Sequence, residues 1–192
     1  AWISKALSDN GMSEEAYRLL QYEGYPSWLY PVKNGATTIW ERLNSYTVKD
    51  GFGENNSMNS FNHYSFGAVA SWMYNYSLGI CRDEKSPGFK HFILKPEVDP
   101  TRGITHAEGY YDSMYGRIRS RWQYTDSGIR YEFTVPANTT ASLYLPAPAV
   151  SFISENGKPL KKASGVRYVS ADKELHHLEL ASGSYQFDIK QK

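Results

Sequence analysis

The spacing of apolar residues changes once along this chain, and that change divides it into two kinds of structure. Up to about residue 82, apolar side chains recur three and four positions apart, the spacing of one helix face. In "EEAYRLLQYEG", with Ser13 as the expected N-cap, acids fill the first turn, Ala16, Leu19 and Leu20 share a face, and Gly24 marks the stop. "YPSWLYPVKNG" reads as an extended loop, because Pro26 and Pro31 hold the preceding residues out of helical geometry. From Ser60, "FNHYSFGAVASWMYNYSLGI" reads as a helix that is apolar or aromatic nearly all round, with Phe66, Val69, Ala70, Met73 and Ser77 in one stripe. A helix without a polar face belongs inside a larger helical array. Three helical segments are too few to build one, so partner helices outside this chain are expected.

After Pro87 the period becomes two. "FKHFILK", "GITHAEGYYDS", "GRIRSRWQYT", "GIRYEFTV", "TTASLYLP", "GVRYVS", "HHLELA" and "SYQFDIK" are short alternating runs. Turn signals such as Asp126-Ser127-Gly128 and Asn156-Gly157 separate them. Some eight strands at this spacing predict an antiparallel β-sandwich. The fold class is therefore α+β in two parts, residues 1–82 and 83–192, with the boundary in "CRDEKSPG".

Bulk properties remove several function classes. A net charge of +1 offers no basic stripe for a nucleic acid, and one cysteine, Cys81, allows no internal disulfide framework. No apolar run approaches the roughly 20 residues that span a bilayer. "AWISKALSDNGMSEEA" has neither the basic nor the apolar region of a signal peptide and no initiator Met, so a piece of a longer chain is expected. The compartment is not legible. The unusual quantity is aromatic content, 15% with 16 Tyr and 5 Trp, which suits sugar faces, protein interfaces or simple β packing.

No phosphate loop, Cys/His metal spacing or nucleophile elbow is present, so neither cofactor nor metal is expected. His176 and His177 are neighbours in a strand and point to opposite faces. Arg117, Arg119 and Arg121 share a face, read as a solvated surface with acidic cross-strand partners rather than an anion site. Tyr110, Tyr111 and Tyr115 are the sandwich's candidates for a sugar platform, against ordinary packing.

The groups that could carry chemistry are polar residues set among aromatics in the helical part. Glu41 follows Trp40, Asn62 and His63 open an apolar helix, and Trp28 lies between two prolines. A carboxylate can deprotonate water, an imidazole and an amide can hold hydroxyls, and indoles can stack on a sugar. A local reading competes with this. Thr38-Ile39-Trp40-Glu41 fits a capping box, in which Glu41 serves a helix that starts at Thr38. Both readings stand on the residues alone.

"GATTIWERLNSY", then "SMNSFNHYSFGAVASWMY", then "GFKHFILKPEVDPT" leading into strands, resembles the C-terminal portion of bacterial α-L-rhamnosidases. The resemblance covers most of the chain and implies the last helices of an (α/α)6 barrel followed by a β-sandwich. It implies an inverting glycoside hydrolase acting on terminal α-L-rhamnose of a glycoside or polysaccharide. Glu41 matches that family's general base and His63 a histidine that contacts the sugar, with Trp40, Trp28 and Asn62 as pocket neighbours. The family's general acid lies in an earlier barrel segment, so the missing N-terminal part of the same enzyme is an implied partner. Asp50 and Glu54, in the Gly-rich loop, do not substitute for it. A related (α/α)6 glycosidase with another sugar preference, or a carbohydrate-binding or structural module without chemistry, are the alternatives.

Overall fold

The computed structural model describes residues 2–53 and 57–190; Glu54 lies outside them. Two compact units are formed, one by residues 1–72 with 99–103 and the other by residues 73–98 with 104–192.

In the helical unit, α1 (Trp2–Asp9) and α2 (Ser13–Gln21) make a hairpin. Gly11 turns it at φ +75°, a backbone geometry that costs glycine little. Ala16 and Tyr17 of α2 are fully buried. The Tyr17 ring meets Trp72 edge-on at 5.0 Å, and the Trp72 indole N–H donates to Ser8 Oγ at 2.9 Å. These contacts seat α4 (Val69–Trp72) on the hairpin.

Local signals misplace several ends here. Ser13 is the first helical residue, Met12 occupies the cap position, and no side chain caps the helix. The helix stops at Gln21 with Tyr22 already extended, three residues before the expected Gly24. Gln21 is drawn into a tertiary bond, since its amide donates to the Tyr17 carbonyl and, at 2.8 Å, to fully buried Asp99. The segment expected to be an extended loop contains α3 (Leu29–Lys33). Pro31 falls in its first turn, where a backbone N–H has no intrahelical partner to lose, and Ser27 Oγ accepts the Tyr30 N–H at 2.9 Å.

No helix begins at Thr38. The Thr38 hydroxyl donates to the Phe61 carbonyl, and residues 39–41 pair with residues 60–63 instead of coiling. The same pairing delays the next helix. Winding starts at Ser65 rather than Ser60, as a 3-10 turn (Ser65–Ala68), then α4, then a π turn (Met73–Ser77). The helix expected at Thr38 and the first turn expected from Ser60 are lost for one reason: backbone groups there find partners about twenty residues away.

The β unit holds two sheets. One has the order β1 (Ile80–Arg82), β2 (His91–Leu94), β6 (Thr140–Pro146), β10 (Leu175–Leu180), β9 (Val166–Asp172). The other runs β3 (His106–Ser113), β4 (Gly116–Thr125), β5 (Gly128–Val135), β11 (Gly183–Lys190), β7 (Ile153–Glu155), β8 (Lys158–Pro159). All eight expected runs are strands. β1, β7 and β8 were not expected, being too short to show a period. Pairing is antiparallel except between β2 and β6, which is parallel. Asn156-Gly157 makes a two-residue turn with both φ angles positive, as an Asn-Gly hairpin requires.

Phe92, Leu94, Leu143, Leu145, Leu178 and Leu180 form the buried side of the first sheet. Ile118, Trp122, Tyr131, Phe133, Phe187 and Ile189 form that of the second. The π turn is tied to this core. The Trp122 indole N–H donates to the Ser77 carbonyl at 2.8 Å, and the Ser120 hydroxyl donates to the Leu78 carbonyl at 2.6 Å. Trp122→Phe removes that N–H and part of a fully buried ring, and is expected to lower stability by about 1–3 kcal/mol. Urea unfolding followed by circular dichroism checks this, and an unchanged midpoint would show the bond to be dispensable.

Candidate functional site

The pairing of residues 38–42 with 59–63 brings Glu41 and His63 together. The Glu41 N–H donates to the Ser60 carbonyl at 2.8 Å, and the Ser60 N–H donates back to Glu41 Oε2 at 3.0 Å. One register further, the His63 N–H donates to the Ile39 carbonyl at 2.9 Å. An Arg42 guanidinium N–H donates to Asn59 Oδ1 at 2.5 Å. Trp40 and Phe61 stack across the pair with centroids 4.8 Å apart.

This geometry leaves Glu41 Oε1 4.0 Å from His63 Nε2, with side-chain exposures of 17% and 31%. The carboxylate is thus half-buried yet reachable, which an acid–base group needs. Its capping role is real but differs from the capping box. The amide it satisfies belongs to Ser60, about twenty residues away, and not to a helix starting at Thr38.

The other candidates are placed unequally. Trp40 is buried, and its ring joins Tyr46, Phe52 and Phe61 in an aromatic cluster. Beside it lies a recess of about 310 Å³ lined by Tyr30, Thr38, Trp40, Tyr46 and Phe61 among others. Trp28 is buried, spends its indole N–H on the Phe66 carbonyl at 3.0 Å and meets the Phe66 ring edge-on. Asn62 is exposed, and its backbone N–H donates to Ser60 Oγ at 3.2 Å. The contributions of Ser60 and Phe61 were not anticipated. Their residue types carry no chemical signal, and only the tertiary pairing gives them a role.

The remaining clusters are accounted for within the sheets. Arg117 pairs with Asp112 at 2.8 Å, Arg119 with Glu108, and Arg121 with Glu132 at 3.3 Å, on the polar face of β3, β4 and β5. Hydrogen bonds from Arg117 and Arg119 hold the Asp112 and Glu108 carboxyls below the ordinary carboxylate range. Tyr110 and Tyr111, adjacent in β3, face opposite ways and do not form one plane with Tyr115. Arg117 lies 3.7 Å above the Tyr110 ring, Tyr111 packs on Phe89, and Lys90 lies 5.1 Å from the Tyr115 ring. His176 is buried against the Ala147 carbonyl and the Tyr168 hydroxyl, while His177 stacks on Tyr144 and bonds Glu179. Among the described residues no three His, Cys, Asp or Glu side chains are gathered as a metal site. No described helix is long and apolar enough to cross a membrane.

Both parts of the chain match proteins of known family. Residues 1–77 match the bacterial α-L-rhamnosidase six-hairpin glycosidase domain, and residues 79–159 match the bacterial α-L-rhamnosidase C-terminal domain. An α-L-rhamnosidase of Alteromonas sp. (strain LOR) is 35% identical over 97% of this chain and 18% of its own length. One from Streptomyces avermitilis is 34% identical over 95% of this chain and 16% of its own length. The crystal structure of Streptomyces avermitilis α-L-rhamnosidase complexed with L-rhamnose superposes with a TM-score of 0.83, at 33% identity, over 97% of this chain and 17% of that one. The chain therefore spans about a fifth or less of the length of the relatives it matches. With its helices matched to one domain of that family and the segment holding β1 to β8 to the next, this chain belongs to the bacterial α-L-rhamnosidases and corresponds to their C-terminal portion.

Proposed function

We propose that this chain supplies the general base and part of the sugar pocket of an inverting α-L-rhamnosidase. The supporting observation is the Glu41 carboxylate, with Oε2 held by the Ser60 N–H and Oε1 open beside His63 Nε2. An inverting glycosidase protonates the leaving oxygen with one carboxylic acid while a carboxylate on the other face of the sugar deprotonates water. The two groups stand roughly 6.5–9.5 Å apart to admit that water. Glu41 takes the water's proton on Oε1. His63 holds a hydroxyl of the sugar, and Trp40, Trp28 and Asn62 shape the surrounding pocket. The relative whose structure contains L-rhamnose supports the same sugar here. The acid comes from another part of the longer enzyme, whose helices cover the apolar surface of residues 1–82. The two sheets, β1 to β11, form the supporting sandwich.

Replacing Glu41 in the longer enzyme tests the base, and assaying this chain by itself tests the division of labour. The purified 192-residue chain is expected to release no product from an aryl α-L-rhamnoside, since one carboxylate of the pair is absent. Hydrolysis above the buffer rate, lost in Glu41→Gln, would place the acid within this chain and overturn that assignment.

A further inference from the structure

His63 is held at three points of its environment, and together they define what its ring can do. Its backbone N–H is fixed to the Ile39 carbonyl. The ring lies nearly parallel to the Tyr64 ring, with 12° between planes and centroids 5.1 Å apart, an offset stack that restricts ring rotation. Nδ1 accepts the Ser65 N–H at 3.2 Å. A neutral imidazole has one N–H and one lone pair, and a nitrogen that accepts a hydrogen bond carries the lone pair. With Nδ1 as acceptor, the proton of the neutral ring sits on Nε2, the atom that faces Glu41 Oε1.

We infer that Tyr64 and the Ser65 main-chain N–H are the positioning groups that lock His63 as a neutral Nε2–H donor aimed at the Glu41 carboxylate. The 4.0 Å between Nε2 and Oε1 exceeds a direct hydrogen bond, so the two atoms act together through a third group. That group must accept from Nε2–H and donate to Oε1. A hydroxyl does both, whereas a carbonyl, an ether or an ammonium does only one. The pair is thus matched to an O–H, and His63 serves by donating a hydrogen bond, leaving proton abstraction to Glu41. Tyr64 is 84% exposed, so its value lies in this stack and not in core packing. The inference deepens the assignment of His63 as a sugar contact, but its test requires no turnover.

Nitrogen-15 multiple-bond spectra of the labelled chain at about pH 8, above the ordinary imidazole range, read the tautomer directly. His63 is expected to show a protonated Nε2 and an unprotonated Nδ1. A protonated Nδ1, or the averaged pattern of a freely exchanging ring, would overturn the lock. In Tyr64→Ala the pattern is expected to move toward the average, and in Tyr64→Phe, which keeps the stacked ring, to stay single. A single Nε2–H pattern in Tyr64→Ala, with backbone amide signals unchanged away from residues 60–66, would remove Tyr64 from the assignment. Failure here leaves Glu41 as the base, and failure of Glu41 as the base leaves the tautomer standing.

Discussion

Glu41→Gln in the longer enzyme is expected to lower kcat on an aryl α-L-rhamnoside by about 10²–10⁴-fold, the usual contribution of a positioned general base. The local structure predicts that this loss arrives without unfolding. A Gln side-chain oxygen still accepts the Ser60 N–H, so the 38–42 and 59–63 pairing keeps its register. The amide has no oxygen that can take a proton from water, so under the proposed assignment the chemical step loses its base while His63 is left to hold the sugar. KM should therefore change far less than kcat. Glu41→Asp is expected to lose part of the rate by a different route, because one methylene fewer draws the carboxylate away from the Ser60 N–H. Near-normal kcat in Glu41→Gln would remove Glu41 from the reaction.

How much of this was readable beforehand depends on how far away each residue's partner lies. The strands were legible because alternation is imposed locally by the pleat. Ile118, Ser120 and Trp122 face inward, and the arginines between them face their cross-strand acids, as the period of two requires. The helical part was less so. Thr38 and Glu41 carry the letters of a capping box, but their hydrogen bonds go to Phe61 and Ser60, and no local rule reports a partner that distant. The same competition removed the first turn expected from Ser60. Glu41 and His63 stood out by residue type, and the family resemblance gave them roles. Their 4.0 Å approach became visible only with the pairing of residues 39–41 and 60–63. The short helix over Pro31 is hidden for the opposite reason: the preference of a residue before proline for extended backbone points to a loop, whereas Pro31 sits in a first helical turn, where its missing N–H loses no bond.

Gly79→Ala is expected to produce the largest loss of stability among single-methyl changes in the β unit. Gly79 joins the π turn to β1, and its carbonyl accepts the Lys95 N–H at 2.9 Å. Its φ of +67° alone costs an alanine about 1–2 kcal/mol, because Cβ crowds the following carbonyl in left-handed geometry. The added methyl would also sit against the Lys95 carbonyl carbon and the Pro96 nitrogen, closer than a Cβ approaches backbone atoms. A flexible side chain could swing away, but a peptide plane joined to a proline ring cannot. Relief therefore requires moving β1 or the strand it pairs with, β2, and overpacking of this kind adds roughly 1–3 kcal/mol. The combined cost of about 3 kcal/mol or more corresponds to a fall in Tm of roughly 10 °C for a chain of this size. Gly157→Ala is the matched comparison. It lies in the same unit at φ +73° with nothing within 4 Å of a built Cβ, so it carries the conformational cost without the clash. Calorimetry on both variants separates the two effects. Equal shifts would mean that the Lys95–Pro96 backbone yields freely, and that contact at Gly79 does not constrain how the chain passes from helix to sheet.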